Sequence, residues 1–341
     1  MAGSVQMSKK DGEGTEAAVG RHFGKVRSVG LFILLVMVSS LTGCQESYLE
    51  PYQVKLEGYE QLEQSLYRQT GMAEGKSVIE DESVFDASEV SAAAAGMFCL
   101  DSERVLYSKA AFEPLAPASL TKLMTALVTL ENASLDETVR LGEEVLITEP
   151  GARLCYFQPG DILTVEQLLC ASLIYSGNDA AAALAVHVGG SEQDFVNMMN
   201  EEARRLGATS TKFKNSHGLD ADGHVTTVYD LYLIFSRCLE YDDFCRMIAM
   251  SSYDCTYQTA EGTSKQVTWL NSNGFMNGAA SLSADMKMLG GKTGTTEDAG
   301  KCLLVYTEDV QGRRYISILL GAADDTILYD EMNRLLQKIA E

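Results

Sequence analysis

The sequence predicts an α/β fold of the α+β kind, in which one antiparallel sheet forms from both ends of the folded region and encloses an inserted helical subdomain. Two strand-like segments come early, residues 92–100 and 104–108, and a turn at 101–103 joins them. Two more segments with strand composition come late, residues 302–307 and 315–321. The stretch between the two pairs is mostly helix-periodic, so the early and late strands are expected to share a sheet.

The middle of the chain is predicted to be helical because its apolar residues recur at helical spacing. One of these segments, residues 178–188, is rich in alanine, and another ends at Gly207, a plausible C-cap. The predicted helices cover residues 119–130, 165–175, 178–188, 191–206 and 230–239. A closing helix follows the late strands, and its apolar face comprises Ile327, Leu328, Met332, Leu335, Leu336 and Ile339.

The first 43 residues have the organisation of a secretory signal. Five lysines and arginines precede an apolar run over residues 31–38, which is too short to span a bilayer. The ending at residues 41–44 resembles a bacterial lipobox, in which Cys44 becomes the lipidated first residue. We therefore expect a lipoprotein signal peptide at 1–43, a lipidated flexible tether at 44–90 and a folded domain at 91–341. An uncleaved signal anchor with an incidental cysteine remains open.

Charge and cysteine content exclude several classes of protein. A net charge of −21 argues against a nucleic-acid partner, which would require a basic face, and against electrostatic docking on an anionic membrane. With Cys44 assigned to lipid, seven cysteines remain at irregular spacing. An odd number is no disulfide framework, and no metal-ligating Cys/His pattern occurs. We therefore expect no disulfide framework and no Cys/His metal site, while the redox state of the thiols stays open.

Ser119 and Lys122 form the first chemical motif, Ser-x-x-Lys. Residues three apart on a helix share a face, so the hydroxyl and the amine can lie within hydrogen-bond distance. Such a serine becomes a nucleophile only if a base removes its proton, and lysine is a base only if its surroundings lower its pKa. The flanking residues are largely apolar. Taken alone, the motif is equally typical of an ordinary serine at a helix N-terminus.

Two further motifs follow along the chain. Ser176-Gly177-Asn178 precedes the alanine-rich helix, and by itself also fits plain helix capping. Residues 290–296, Gly-Gly-Lys-Thr-Gly-Thr-Thr, do not have P-loop spacing, and strand composition resumes after them. Their small residues suit an edge strand whose backbone meets a ligand closely.

The ordered set Ser-x-x-Lys, Ser-Gly-Asn, Lys-Thr-Gly resembles the motifs of the low-molecular-weight penicillin-binding proteins, the serine-type D-alanyl-D-alanine carboxypeptidases. The resemblance covers roughly residues 92–341 and implies the β-lactamase/transpeptidase-like fold. The segments between the motifs are also similar to that family, at residues 160–161, 195–200, 206–208 and 215–220.

The resemblance implies a role for each motif residue. Ser119 would be the nucleophile, Lys122 its base, and Ser176 a proton relay together with Lys292. Lys292 is expected to stay cationic while Lys122 is neutral, because two amines in one pocket repel when both are charged. Backbone N–H groups of Ser119 and Thr295 would form the oxyanion hole. The substrate-binding residues would be Asn178, Lys292, Thr293, Gly294 and Thr295.

The family also implies partners and a location. The substrates would be peptidoglycan stem peptides ending in D-Ala-D-Ala, with β-lactams as covalent inhibitors, and the enzyme would act on the outer face of the membrane, held by its N-terminal lipid. Better-known members carry a second, all-β domain and a C-terminal amphipathic helix, and we expect neither here. Two other functions stay open: a β-lactamase-like hydrolase, although residues 212–219 lack a deacylating glutamate, and a non-catalytic wall-binding lipoprotein.

Two positions need separate comment. Some family members have an arginine, suited to the substrate's terminal carboxylate, where this chain has Tyr229. Without that arginine, only Lys292 and the threonine hydroxyls would be left to bind the carboxylate. His217 could be taken for a general base, but its match is to a structural His-Gly-Leu turn, so we expect no direct chemistry from it.

Overall fold

The computed structural model describes residues 90–282 and 286–339, which contain nine strands and eight α-helices. The strands are β1 (Ala94–Cys99), β2 (Arg104–Lys109), β3 (Thr138–Arg140), β4 (Ile162–Thr164), β5 (Ser252–Gln258), β6 (Ser264–Leu270), β7 (Met286–Thr296), β8 (Gly300–Asp309) and β9 (Arg314–Ala322). The helices are α1 (Thr121–Asn132), α2 (Val165–Cys170), α3 (Asn178–Gly189), α4 (Glu192–Arg205), α5 (Val228–Cys238), α6 (Asp242–Ile248), α7 (Gly274–Asn277) and α8 (Asp325–Gln337).

The main sheet joins the two ends of the described region, as predicted. Its five antiparallel strands have the order β2-β1-β9-β8-β7, and the β1–β9 pairing sets Ala95 opposite Leu319. β7, which carries the Lys-Thr-Gly motif, is an edge strand, as its small residues suggested. One long side of this strand is therefore available to pair with something other than the sheet.

Apolar side chains cover both faces of the main sheet. α8 packs on one face, where Leu328, Met332 and Leu335 are buried with Leu303 and Leu319 of the strands. A larger core on the other face includes residues of α1 to α6. The alanine-rich α3 is buried along most of its length, because small side chains let neighbouring helices approach closely. The helical subdomain thus inserts between β2 and β7 and forms one wall of the site described below.

The predicted helix over residues 165–175 is interrupted. α2 ends at Cys170, and residues Ala171–Tyr175 continue as a π-helical turn. The turn stops at Ser176, which has a left-handed backbone with φ +74°. A non-glycine residue in this conformation is strained, and π-turns occur often at functional sites. The interruption places the Ser176 hydroxyl at the end of the helix instead of on its side.

A second sheet was not predicted from the sequence. It has the order β3-β4-β5-β6. β3 and β4 contain only three residues each, too few for a visible alternation. The β5–β6 hairpin is mostly polar and buries only Cys255, Tyr257 and Trp269. α6 was missed as well, because its seven residues are shorter than the windows that reveal helical periodicity.

The predicted signal peptide and nearly all of the predicted tether lie outside the described residues. Within residues 90–282 and 286–339, none of the helices is long and apolar enough to cross a membrane. The seven cysteines predicted to remain after lipidation are all free thiols, and five of them are buried. Most of these thiols therefore serve as small apolar side chains, as expected for free cysteine in a core.

Candidate active site

Ser119 lies in a tight turn immediately before α1. The turn is a short 3₁₀ segment, Ala118–Leu120, and Ala118 has a left-handed backbone with φ +47°. β7 runs against it: a Cβ added at Gly294 would lie 3.0 Å from Pro117 O and 3.1 Å from Ser119 N. Gly294 is thus required for the close approach of the Lys-Thr-Gly strand to the serine. The strained turn exposes the Ser119 side chain to a cleft beside β7.

The Lys122 amine touches three oxygen atoms. Its Nζ lies 2.8 Å from Ser119 Oγ, 2.6 Å from Asn178 Oδ1 and 2.6 Å from the His217 main-chain oxygen. Two of these are carbonyl oxygens, which can only accept a hydrogen bond. A neutral amine has two N–H groups for the two carbonyls and one lone pair, which is left for the Ser119 hydroxyl proton. An ammonium would instead donate to all three oxygens, so the contacts fit both forms, and only the neutral form can act as the base.

Burial explains how Lys122 can be neutral. The side chain is fully buried, and burial lowers the pKa of the amine to about 7, against the opposing effect of Asp179. Removing an ammonium from water penalises the charged form, so a buried lysine loses its proton more easily. Its pKa therefore lies in the range where a general base works at neutral pH.

The second serine–lysine pair lies across the cleft. Lys292 Nζ donates to Ser176 Oγ at 2.7 Å and to the Thr293 main-chain oxygen at 3.0 Å. Lys292 is fully buried, and burial lowers its pKa well below the usual range, with further lowering from Lys122 and Arg153. Burial therefore opposes the expectation that Lys292 keeps its proton in the free site, and that expectation stays a prediction. All the groups that shift its pKa lower it, and none of them is a carboxylate.

Asp179 fixes the loop that borders Ser176 and Asn178. Its carboxylate accepts the backbone N–H of Cys155 at 3.0 Å and that of Phe157 at 3.3 Å. Burial raises the pKa of Asp179, and these backbone hydrogen bonds oppose that shift. The loop in turn accepts the Asn178 N–H at the Arg153 oxygen, at 2.8 Å. The loop and the Ser-Gly-Asn turn thus hold each other in one arrangement.

The cleft between the two walls has a volume of about 810 Å³. Thr293 and Thr295 line it from β7, and the Thr293 hydroxyl donates to Ser272 Oγ at 2.8 Å. The cleft brings together most of the residues predicted for the site, and the two buried lysines are in direct contact with that group. Lining residues from the three motifs are Ser119, Ser176, Asn178, Thr293, Gly294 and Thr295.

The family model for D-alanyl-D-alanine carboxypeptidase, Peptidase S11, matches residues 81–324. The chain belongs to this family. Among curated members, it is 33% identical over 230 residues to D-alanyl-D-alanine carboxypeptidase DacF of Bacillus subtilis, covering 65% of this chain and 55% of that protein. It is 34% identical over 265 residues to DacC of Escherichia coli, covering 75% of this chain and 62% of that protein. The chain thus spans somewhat more than half the length of these relatives.

Solved structures of family relatives have the same fold. The Streptomyces K15 DD-transpeptidase is 26% identical, with a TM-score of 0.67, and the match covers 73% of this chain and 97% of that one. The D-alanyl-D-alanine carboxypeptidase of Mycobacterium tuberculosis H37Rv is 27% identical, with a TM-score of 0.64, covering 78% and 94%. The predicted β-lactamase/transpeptidase-like fold is thereby confirmed.

Two positions discussed for this carboxypeptidase family have distinct roles in the fold. His217 contributes its main-chain oxygen to Lys122, while its ring Nδ1 accepts the Leu219 N–H at 3.2 Å. Burial lowers the pKa of the His217 ring to about 3, so the ring is neutral. Tyr229 packs beside Phe98 and Phe112. Tyr229 therefore serves as an aromatic packing residue of α5.

Sequence reasoning missed Arg153, Asp179 and Ser272. The acidic residue directly after Ser-Gly-Asn was visible, but nothing nearby in the sequence indicated that its partners lie more than 20 residues earlier. Ser272 has no motif around it and reaches the cleft only because the chain turns there between β6 and α7. These three residues become part of the site through packing alone.

Proposed function

We propose that this protein is a serine-type D-alanyl-D-alanine carboxypeptidase, which removes the terminal D-alanine of peptidoglycan stem peptides through an acyl-enzyme on Ser119. The observation that carries the proposal is the contact set of the fully buried Lys122, whose two carbonyl partners leave the lone pair of the neutral amine to Ser119. The family and the names of the relatives support the same reaction.

Acylation begins when Ser119 Oγ attacks the carbonyl carbon between the two D-alanines. The hydroxyl proton passes to Lys122 Nζ, and a tetrahedral oxyanion forms. Backbone N–H groups of Ser119 and Thr295 stabilise that negative charge, and fixed donors of this kind contribute about 3–4 kcal/mol each in other enzymes. The close packing of Gly294 on the Ser119 turn supports this pairing of donors from two separate elements.

Collapse of the intermediate breaks the peptide bond and releases D-alanine. Its amine takes a proton through Ser176, whose hydroxyl is bonded to Lys292. Thr293, Thr295 and Lys292 bind the terminal carboxylate, and Asn178 holds the substrate backbone. Water then attacks the ester on Ser119, with Lys122 again as base, and restores the serine hydroxyl. The reaction consumes one water and needs no metal or cofactor.

A β-lactam offers a direct test, because it mimics D-alanyl-D-alanine and its acyl-enzyme hydrolyses slowly. Benzylpenicillin is expected to raise the intact mass by one penicillin, and peptide mapping should place it on Ser119. Ser119→Ala should remain unlabelled, whereas Ser134→Ala, a change in the loop after α1, should be labelled fully. Labelling of Ser176 or of any cysteine would contradict the assignment of the nucleophile.

The two other functions that the sequence left open predict different outcomes when the protein is treated with a β-lactam. A β-lactamase-like hydrolase would turn over a chromogenic cephalosporin rapidly; the described lining of the cleft includes no glutamate that could serve deacylation. A non-catalytic wall-binding lipoprotein would take up no penicillin at all. The full burial of both motif lysines argues against that function, since burying amines is costly unless they are used.

We further propose that the protein is exported, that residues 1–43 are removed and that Cys44 carries the lipid that attaches residues 44–90 to the membrane. Two or three acyl chains would hold the protein firmly, at about 0.8 kcal/mol per buried methylene. Cys44→Ala should release the protein from the membrane fraction or stall its processing. Cys99→Ala is the matched control and should stay membrane-bound. A Cys44→Ala protein that is cleaved after residue 43 yet remains in the membrane would contradict the lipid.

A further inference from the structure

Arg153 lines the cleft together with Ser176 and Asn178, and its main-chain oxygen is bonded to Asn178. It is exposed to solvent, and its side chain is nonetheless held in place. Arg153 Nη1 donates to the Tyr175 main-chain oxygen at 3.3 Å, and the guanidinium carbon lies 5.4 Å from the centre of the Tyr175 ring. A stacked guanidinium with one anchored N–H loses less conformational freedom on binding a ligand than a free one.

The main chain around Arg153 is equally fixed. The Asn178 N–H donates to the Arg153 oxygen at 2.8 Å, and Asp179 binds the N–H groups of Cys155 and Phe157. A Cβ added at Gly177 would lie 2.5 Å from Cys155 Sγ, so the loop packs directly on the Ser-Gly-Asn turn. Arg153 is therefore positioned relative to the catalytic groups before any substrate arrives.

The positive charge of Arg153 is not neutralised by the described residues. Several other arginines pair with carboxylates, namely Arg205, Arg237, Arg246, Arg313 and Arg314, and Arg153 does not. Arg140 likewise has no carboxylate partner among the described residues, but it does not line the cleft as Arg153 does. Four of the Arg153 N–H donors are not used by the Tyr175 contact and can serve an anion.

We propose that Arg153 is a specificity-determining residue that binds a carboxylate on the donor peptide, upstream of the scissile D-alanyl bond. The proposal rests on the carboxypeptidase function above. In the proposed reaction Lys292, Thr293 and Thr295 already bind the terminal carboxylate, so we assign the group bound at Arg153 to another part of the peptide. The planar fork of a guanidinium matches a carboxylate and discriminates it from a neutral carboxamide by charge.

The test uses two synthetic peptides ending in D-Ala-D-Ala that differ only in the preceding residue, which carries a side-chain carboxylate in one donor and the carboxamide in the other. D-alanine release is measured to give kcat and KM. The unchanged protein should prefer the carboxylate donor by about three- to tenfold in kcat/KM, through KM, as expected for a solvent-accessible ion pair with bidentate geometry. Raising sodium chloride from 0.05 to 0.5 M should reduce that preference.

Arg153→Gln should abolish the preference by raising KM for the carboxylate donor alone, and Arg153→Lys should retain part of it. Arg140→Gln is the matched control, because Arg140 is also exposed and bonded to a main-chain oxygen, Gly160 O at 3.2 Å, but does not line the cleft. A preference that survives Arg153→Gln, or an equal loss with both donors, would overturn the proposal. Hydrolysis of the carboxamide donor by every variant tests the carboxypeptidase function separately, and an inert unchanged protein would overturn both proposals.

Discussion

The two serine–lysine pairs of the cleft have the same composition but different surroundings. Lys122 lies on a helix, bonded to two carbonyl oxygens and one serine, with Asp179 near enough to oppose the loss of its proton. Lys292 lies on a strand, bonded to Ser176 and one carbonyl oxygen. The two described basic side chains beside it, Lys122 and Arg153, both lower its pKa. Burial thus lowers the pKa of both amines, but only Lys122 has a carboxylate, Asp179, among the described groups that oppose the shift.

We propose that the two amines act at different stages of the proposed reaction, because their surroundings differ. In the free site, both N–H groups of a neutral Lys122 are bonded to carbonyl oxygens, so its lone pair is available to accept the Ser119 proton. Lys292 has spare donor capacity and lacks a counter-charge, which a substrate carboxylate would supply. A negative charge within a few ångströms favours the ammonium form. We therefore expect Lys292 to become cationic when substrate binds, instead of before.

The largest expected effect is that of Lys122→Arg. A guanidinium keeps its proton at any working pH, so the Ser119 proton has no acceptor. Acylation by benzylpenicillin should fall by about a thousandfold, within the range that general-base catalysis contributes. The measurement is the rate of labelling by fluorescent penicillin across pH 6–10. Lys287→Arg, an exposed change on the same strand as Lys292, is the control, and substantial labelling of Lys122→Arg would remove the distinction between the lysines.

Asn178→Asp should produce a smaller effect by acting on the pKa of Lys122. In the unchanged protein, acylation should rise with pH through about 7, because the amine accepts a proton only when neutral. A carboxylate at 178 favours the ammonium form, so the midpoint should move up by about one pH unit or more, with a roughly tenfold slower rate at pH 7. Asn178→Ala removes the amide without adding charge and should not raise the midpoint. An unshifted profile for Asn178→Asp would show that another group limits acylation.

A loss of about the same size as that of Asn178→Asp is expected for Lys292→Arg. The variant keeps a cation for the substrate carboxylate and should lose about tenfold in kcat/KM, chiefly through KM. Its permanent charge also disfavours the ammonium of Lys122, so the acylation midpoint should move below 7. Lys292→Met, which provides neither charge nor donor, should lose considerably more. Equal losses in Lys122→Arg and Lys292→Arg would mean that the two amines do not act at separate stages.

Much of the site could be predicted from the sequence because its motifs are local. Ser119 and Lys122 share a helix face by spacing alone, and the glycines of the Lys-Thr-Gly segment indicated a strand that a ligand approaches closely. The prediction that both ends of the folded region share one sheet was likewise confirmed. Each of these inferences depended only on residues within a few positions of one another, or on where strand-like segments occur along the chain.

The protonation of the two lysines could not be predicted in this way. The surroundings of the Lys122 amine include the main-chain oxygen of His217 and the side chain of Asn178, which lie 95 and 56 positions away along the chain. A carbonyl oxygen is present at every residue, so the sequence carries no sign of which one will face the amine. Whether Lys292 keeps its proton could not be predicted for the same reason, since burial and the charges beside the amine are properties of packing.

The sequence by itself thus determined which groups can react: a serine with a lysine one turn away, a second serine–lysine pair, and an edge strand beside them. Only the tertiary structure decided how they act, through the π-turn that directs Ser176 and the Asp179 contacts that position Arg153. The physical reason is that reactivity depends on hydration, on lone-pair direction and on charges a few ångströms away. Long-range packing sets all three, and identical motifs in another fold would not have the same pKa values.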